Sequence, residues 1–354
     1  MKIMVIGADG LCGTSLVPLL EQLQPDAELI LIDESEESNP PIIEAKVELN
    51  QILFLLRSFQ MERGDILIDL TTELSKTDVL QAADNVGVSV INATCCEKDK
   101  GAISLVDLLD QKLLMARYHW QVPHLIDAGM NPGNVNALLS LLVERHGNPI
   151  EVVQWEMDST IPFNWDGEGF ATWSPAEFAS EFCDESTWEV DGKTVIFADG
   201  PPIDNKLEMP DGNTGVLCQH EEIIKWGWLY GCRAKYIYGY AEKAMAAIEK
   251  NIRVGLELPL CCKLEGRIPT GGDKIGLSVT FESGIVNASI SAANDDPVIP
   301  IKSNATSYLV ACGVATAVEV MRNGNVKKGI NWPDDFGKMW IDYLVKNNLC
   351  NVDV

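Results

Sequence analysis

The sequence predicts an α/β protein with two domains of different character: a parallel sheet wound with helices, then an α+β domain with a mainly antiparallel sheet. Three observations carry this prediction. Short apolar strands alternate with helical stretches in the first part of the chain, and a glycine-rich turn joins the first strand to the first helix. From Ile150 onward, apolar and polar residues alternate instead with the period of a half-buried strand.

Lys2-Ile3-Met4-Val5-Ile6 is the first strand, and Gly7-Ala8-Asp9-Gly10-Leu11-Cys12-Gly13 follows at once. Thr14 to Leu23 has helical periodicity, and Leu29-Ile30-Leu31-Ile32-Asp33 is a second strand ending in an acid. Strand, glycine turn, helix, strand and terminal acid compose the unit of a Rossmann-type dinucleotide-binding domain. Its glycines permit a tight turn, a pyrophosphate rests on the helix N-terminus, and the acid takes ribose hydroxyls. Gly7, Asp9, Gly10, Leu11, Gly13 and Asp33 are therefore the predicted cofactor contacts, in the spacing G-x-x-G-x-x-G. Glu34, Glu36 and Glu37 would repel a 2′-phosphate, which favours NAD over NADP.

Asp65 to Asp69 is a third strand, Val79 to Asn85 a helix, and Val88 to Asn92 a further strand. Residues just past strand ends lie on the ligand-binding edge of a parallel sheet, which adds Thr71, Thr72, Asn92 and Thr94 to the predicted contacts. The competing reading is that these residues only cap helices. His124, before a strand at Leu125-Ile126, reads as structural.

The two halves join at Asp127 to Asn136. Asn131 is expected to cap a helix, with Pro132 at its first position and the apolar run Val135 to Val143 behind it. Such a helix directs N–H groups and the positive end of its dipole out of its start. Asn131 and Pro132 are thus expected at the cofactor and at an active site between the halves; an ordinary domain-joining helix is the other reading.

In the second half, Val152 to Asp158 alternates as a strand, with Glu156 and Asp158 on one face and Trp155 on the other. Ser174, Pro175 and Glu177 form the start of a helix that carries Glu181 one turn further on. Asp184 to Gly215 reads as a β-hairpin excursion, and His220 leads into a helix whose first residues, Glu221 and Glu222, suit its dipole. Lys274 to Phe281 and Ile285 to Ala292 read as antiparallel strands. Asn304-Ala305-Thr306 caps a last long helix, 307–323, expected to pack back on the first domain. The boundaries drawn are 1–130 for the dinucleotide domain, 131–303 for the substrate domain, and 304–354 for a helical return.

Composition excludes several classes. A net charge of −25 argues against a nucleic-acid partner. No apolar run approaches a membrane span, and the first residues pass straight into a strand without room for a signal peptide. The ten Cys form no CxxC pattern and His number only four, so neither a disulfide framework nor a metal site is expected. A cytoplasmic protein with reduced thiols is the expectation.

Taken in order, several blocks resemble bacterial homospermidine synthase, within the saccharopine dehydrogenase-like group. They are Gly7 to Gly13 with Pro18-Leu-Leu-Glu21, the Ile32-Asp33 strand end, Asp69-Leu-Thr-Thr-Glu73 and Asn131-Pro132-Gly133. Then come Trp155-Glu156-Met157-Asp158, Thr172-Trp173-Ser174 with Glu181, His220-Glu221-Glu222 and Asn304-Ala305-Thr306. The resemblance runs over most of the chain. It implies a catalytic set of Asn131, Glu156, Trp173, Glu181 and His220, with Asp158, Glu222 and Asp273 as substrate-binding acids.

The resemblance further implies tightly held NAD, a homodimer, and a diamine or polyamine substrate such as putrescine. The diamine is oxidised to an imine, the imine is passed to a second amine, and the same hydride reduces the product. The residue types suit that chemistry. Ammonium groups need carboxylates, a cationic iminium is stabilised by the face of an indole, and His220 is a candidate proton acceptor titrating near neutral pH. Members of that family are longer, and Lys243 stands where they carry an acid, which bears on the choice of amine. Two other readings are open: a saccharopine reductase or carboxynorspermidine dehydrogenase-like imine reductase, and a non-catalytic NAD-binding redox sensor or partner subunit.

Overall fold

The computed structural model describes residues 1–33, 43–44, 49–71, 74, 76–93, 115, 117–183, 187–323 and 326–354. The chain begins β1 (Lys2–Ile6), α1 (Leu11–Leu23), β2 (Glu28–Asp33), β3 (Ile43–Glu44), α2 (Leu49–Ser58), β4 (Ile66–Asp69), α3 (Lys76–Asp84), β5 (Ser89–Asn92), β6 (Pro123–Leu125) and α4 (Asn134–His146). It continues β7 (Glu151–Asp158), α5 (Pro175–Cys183), β8 (Thr187–Asp191), β9 (Thr194–Ala198), β10 (Lys206–Glu208), β11 (Thr214–Cys218), α6 (Glu221–Tyr230), β12 (Arg233–Tyr240), α7 (Glu242–Arg253), β13 (Gly272–Phe281) and β14 (Gly284–Ala293). It closes α8 (Ala305–Arg322), β15 (Gly329–Asn331), α9 (Gly337–Lys346) and β16 (Asn351–Asp353). Two compact units result. The first comprises Met1–Ala137 with Val310–Leu344, the second Leu138–Leu309 with Val345–Val354.

In the first unit seven strands order as β15-β6-β5-β4-β1-β2-β3, every pair parallel. Strand order reverses between β1 and β4, the switch point at which such sheets bind ligands beyond their carboxyl ends. The central strands read as continuous apolar runs because both faces are covered. Met4, Ile6, Ile32, Leu67 and Val90 join Val79 and Leu80 of α3 in one buried cluster. Each such side chain contributes on the order of 2 kcal/mol by leaving water.

His124 is indeed structural. Its Nδ1 accepts the Val90 N–H at 3.1 Å and its Nε2 faces Asp84 at 3.2 Å. Burial pulls its pKa down to about 4 against the opposing pull of Asp84, so the ring is neutral and pins β6 to β5 and α3.

The helix at the join starts later than expected. Asn131-Pro132 is a cis peptide, Gly133 takes φ +135°, and the helix begins at Asn134. Gly133 cannot be a helical residue, and a Cβ there would lie 2.0 Å from the Gly129 carbonyl oxygen. Asn131 is therefore part of a tight turn and is not the N-cap. The first helical turn is tied down by Asn134 N–H to Gly129 O at 3.0 Å and Gly133 N–H to Asn136 Oδ1 at 2.9 Å.

In the second unit the main path of strands runs β10-β11-β12-β7-β13-β14-β16, with the hairpin β8–β9 attached to β12. Among the described residues, β12 and β7 alone pair in parallel here; the other neighbours are antiparallel. β7 is central, and its alternation divides the sheet into two chemistries. Trp155 packs with Met209 and Ile237 on one face, while Gln154, Glu156 and Asp158 point to the other. Among the described residues, no helix is long and apolar enough to cross a membrane, and eight cysteines are free thiols.

Candidate functional site

The first unit carries a cradle at its switch point. Gly7 has φ +83°, and Gly7 and Ala8 donate their N–H groups to Ile32 O at 3.0 and 3.2 Å, which folds the turn back over β2. Any side chain at Gly13 would place its Cβ 2.2 Å from the Gly7 carbonyl oxygen, so α1 packs directly on the turn. Gly10, the N-cap of α1, makes no side-chain cap, and the first turn holds no acid, which suits the positive end of the helix to phosphate. Asp33, at the end of β2, accepts the Asp9 N–H at 2.8 Å and so ties the acid to the turn. Gly7, Asp9, Gly10, Leu11, Gly13 and Asp33 are thus brought together at one turn, whose geometry leaves room for a dinucleotide.

The neighbouring strand ends are more structural than predicted. Thr71 donates both its N–H and its hydroxyl to Asp69 Oδ1, at 2.9 and 2.7 Å. Asp69 also pairs with the buried Lys76 at 2.7 Å, so the start of α3 is tied to the end of β4. Asn92 accepts the Asp127 N–H at 3.2 Å and its own carbonyl takes the Ala128 N–H at 2.9 Å, supporting the Asn131-Pro132 turn. Thr72, Thr94 and the acids Glu34, Glu36 and Glu37 lie outside the described residues.

The second unit gathers the predicted acids. On β7, Asp158 stands opposite Tyr240 of β12 and Asp273 of β13; one step along, Glu156 stands opposite Tyr238 and Ile275. Glu156, Asp158 and Asp273 are all buried. The Tyr236 hydroxyl donates to Glu156 at 2.9 Å. Asp158 accepts the Thr172 hydroxyl at 2.5 Å and the Thr160 N–H at 2.9 Å. Neither oxygen of Asp273 makes a hydrogen bond of ordinary geometry, although the Thr306 hydroxyl and the Lys274 N–H bear on the carboxyl. Burial raises the pKa of Asp158, and burial followed by the charges of Glu156 and Asp158 raises that of Asp273 well above the usual range.

α5 and α6 complete the cluster. α5 starts at Pro175, and Trp173, just before it, donates its indole N–H to the Tyr238 hydroxyl at 3.2 Å. The Glu177 side chain lies outside the described residues. Glu181, on α5, acts electrostatically on His220, Tyr236 and Cys218. His220 is the N-cap of α6 and is hydrogen-bonded through Nδ1 to Glu222.

Burial alone would lower the His220 pKa, but Glu222, and after it Glu221 and Glu181, carry it up to about 9. The expectation that His220 titrates near neutral pH is therefore corrected: at pH 7 it is an imidazolium held by carboxylates. Glu156, Asp158, Trp173, Glu181, His220, Glu222 and Asp273 thus belong to one neighbourhood of the second unit. Asn131 and Pro132 belong to the first unit.

Sequence reasoning missed the tyrosines. Tyr236, Tyr238 and Tyr240 alternate along β12 and stand on the acidic face, buried, with Cys218 beside them. Their spacing at every second residue was the available signal.

A family model described as the saccharopine dehydrogenase NADP binding domain matches residues 3–106. Among solved structures, homospermidine synthase from Legionella pneumophila, in complex with NAD, superposes with a TM-score of 0.80. Its identity is 16%, over 99% of this chain and 90% of that one. Apo saccharopine dehydrogenase (L-Glu forming) from Saccharomyces cerevisiae gives a TM-score of 0.64 at 11% identity, over 99% and 98% of the two chains. No curated protein matches by sequence. The two structures share the fold. The matched domain and the cradle together support a nicotinamide dinucleotide as the ligand of the first unit.

Proposed function

We propose that this protein is an NAD-dependent, homospermidine synthase-like enzyme that works on putrescine or a related diamine. The observation that carries the reading is Asp273, a buried carboxyl that makes no hydrogen bond of ordinary geometry and stands beside two further buried acids. Buried acids whose ionisation is held back by burial and by one another become ionised beside a cation, and a diammonium supplies two. The solved relative is named for this reaction and was crystallised with NAD. Asp33 at the cradle is the acid that ribose hydroxyls need and a 2′-phosphate repels.

Bound NAD supplies the hydride acceptor and, later in the cycle, the donor. The residues of the chain do the rest. Glu156, Glu181, Glu222 and Asp273 hold ammonium groups. His220 takes the proton that an amine must lose before a hydride can leave its carbon. The face of Trp173 stabilises the iminium that follows, worth about 2 kcal/mol when desolvated. The amine of a second diamine adds to that carbon, ammonia leaves, and the hydride returns to the new imine. Two putrescines thereby become homospermidine and ammonia, with no net change in NAD. A cytoplasmic homodimer is part of the same proposal, checked by sedimentation.

The matched domain model and the yeast likeness favour a second reading, an imine reductase acting on an amino acid and an aldehyde. Such substrates carry carboxylates, which the acids around Glu156 would repel. Titration calorimetry of the NAD-loaded protein separates the two. Putrescine should bind at least tenfold more tightly than 1-aminobutane, with proton release as Asp273 ionises. Equal affinity for the two amines, or preference for an amino acid, would remove the diamine reading.

A further inference from the structure

Asn304 does more than cap α8. It is fully buried, and its Oδ1 accepts the Ser307 N–H at 2.9 Å, the bond an N-cap makes. Its Nδ2 turns the other way and donates to two carbonyls, Thr172 O at 2.5 Å and Cys261 O at 2.9 Å. Carbonyls only accept and an N–H only donates, so the amide has a single orientation here. Cap and clamp therefore use different atoms of one side chain.

The clamp closes on a junction that is already built. Ala171 donates its N–H to Pro259 O at 2.9 Å and accepts the Cys261 N–H at 2.7 Å, so the segments around residues 171 and 260 run side by side. Asn304 takes one carbonyl from each. The Thr172 hydroxyl is held separately, by Asp158 at 2.5 Å. Thr172 O belongs to the peptide group whose nitrogen is that of Trp173. The indole of Trp173 is thus fixed at its tip, where its N–H reaches the Tyr238 hydroxyl at 3.2 Å, and at its root by Asn304.

We propose that Asn304 is a positioning residue for Trp173, setting the peptide from which the indole projects and so the place of its ring face. Without Nδ2 two buried carbonyls lose their donor, and the segment must shift to find others. The proposal rests on the cation-binding role given to Trp173 above. Without that role, Asn304 only braces the junction.

The test uses full-length, NAD-loaded protein. Asn304→Ser keeps an oxygen for the cap but is too short to reach either carbonyl, so it removes the clamp alone. All nine tryptophans are labelled as 5-fluorotryptophan, and the Trp173 resonance is the one lost in Trp173→Phe. That resonance should move in Asn304→Ser while most of the others hold. Turnover of putrescine should fall roughly tenfold or more at unchanged NAD affinity, because ring face and cation no longer align.

An unmoved Trp173 resonance, or undiminished turnover, would overturn the proposal. If Asn304→Ser fails to fold, Asn304→Asp fills the same volume, keeps the cap and offers at most one proton in place of two. The same resonance should then move, and its constancy would be decisive. A wild-type protein inert toward every diamine would sink the proposed function. The fluorine shift, which needs no turnover, would still decide whether Asn304 sets the indole.

Discussion

Replacing Glu222 with Gln probes the electrostatics of the second unit through one proton. Burial would lower the His220 pKa from 6.5, but Glu222, then Glu221 and Glu181, carry it up to about 9. At pH 7 a group with that pKa is roughly 1% neutral, whereas an ordinary histidine is about three-quarters neutral. The acceptor of a substrate proton must be neutral, so kcat/KM for putrescine should rise with pH and level off near 9 in the wild type. Gln keeps the shape and removes the largest raising charge, so the limb should move down by about 1–2 units, whatever happens to the plateau.

The same shift has a stability signature. The folded pKa lies above the unfolded value, so the stabilisation is complete below 6.5 and is lost as pH rises through about 9. The difference corresponds to about 3 kcal/mol as an upper estimate. The wild-type Tm should therefore fall across that window, and the Glu222→Gln profile should be flatter. A limb that stays near 9 in Glu222→Gln would refute the assignment of His220 as the acceptor tuned by Glu222.

Other outcomes follow from single contacts. Trp173→Ala should leave NAD affinity unchanged and cut turnover about 30-fold, the equivalent of a desolvated cation–π contact; parallel loss of both would mean the indole is merely packing. Asp273→Asn replaces a carboxyl that burial keeps protonated in the free protein and that must ionise to hold an ammonium, so Tm should hold while putrescine affinity drops at least tenfold. Unchanged affinity would take Asp273 out of the site. Gly13→Ala brings a Cβ to 2.2 Å from the Gly7 carbonyl oxygen and should abolish NAD binding by calorimetry; retained binding would contradict the cradle. Lys76→Met strands the buried Asp69 carboxylate and should cost about 3–5 kcal/mol in denaturant unfolding. A loss below 1 kcal/mol would show that the pair does not tie α3 to β4.

The first unit was largely legible because its signal is local. β1, the glycine turn, α1, β2 and Asp33 are contiguous, and each is dictated by steric need or burial. The acidic face was half legible. The period-two alternation of Glu156 and Asp158 puts them together, but the tyrosines opposite depend on the parallel register of β12 against β7, set by contacts distant in sequence. Short strands such as β15 and β16 escaped because three residues carry no periodicity. Asn131 was misplaced as a cap because Asn-Pro before an apolar run has the same composition as a helix start; the conformation of Gly133 decides otherwise. The basicity of His220 was hidden for a similar reason. It comes in part from Glu181, on a different helix.

The measurement that bears most directly on the central claim is product analysis by mass spectrometry, after incubating the purified protein with NAD and putrescine and no added NADH. The account predicts homospermidine and ammonia with no accumulation of NADH. NADH accumulating without a coupled amine, or no reaction with putrescine alongside turnover of an amino acid and an aldehyde with NADH, would contradict it.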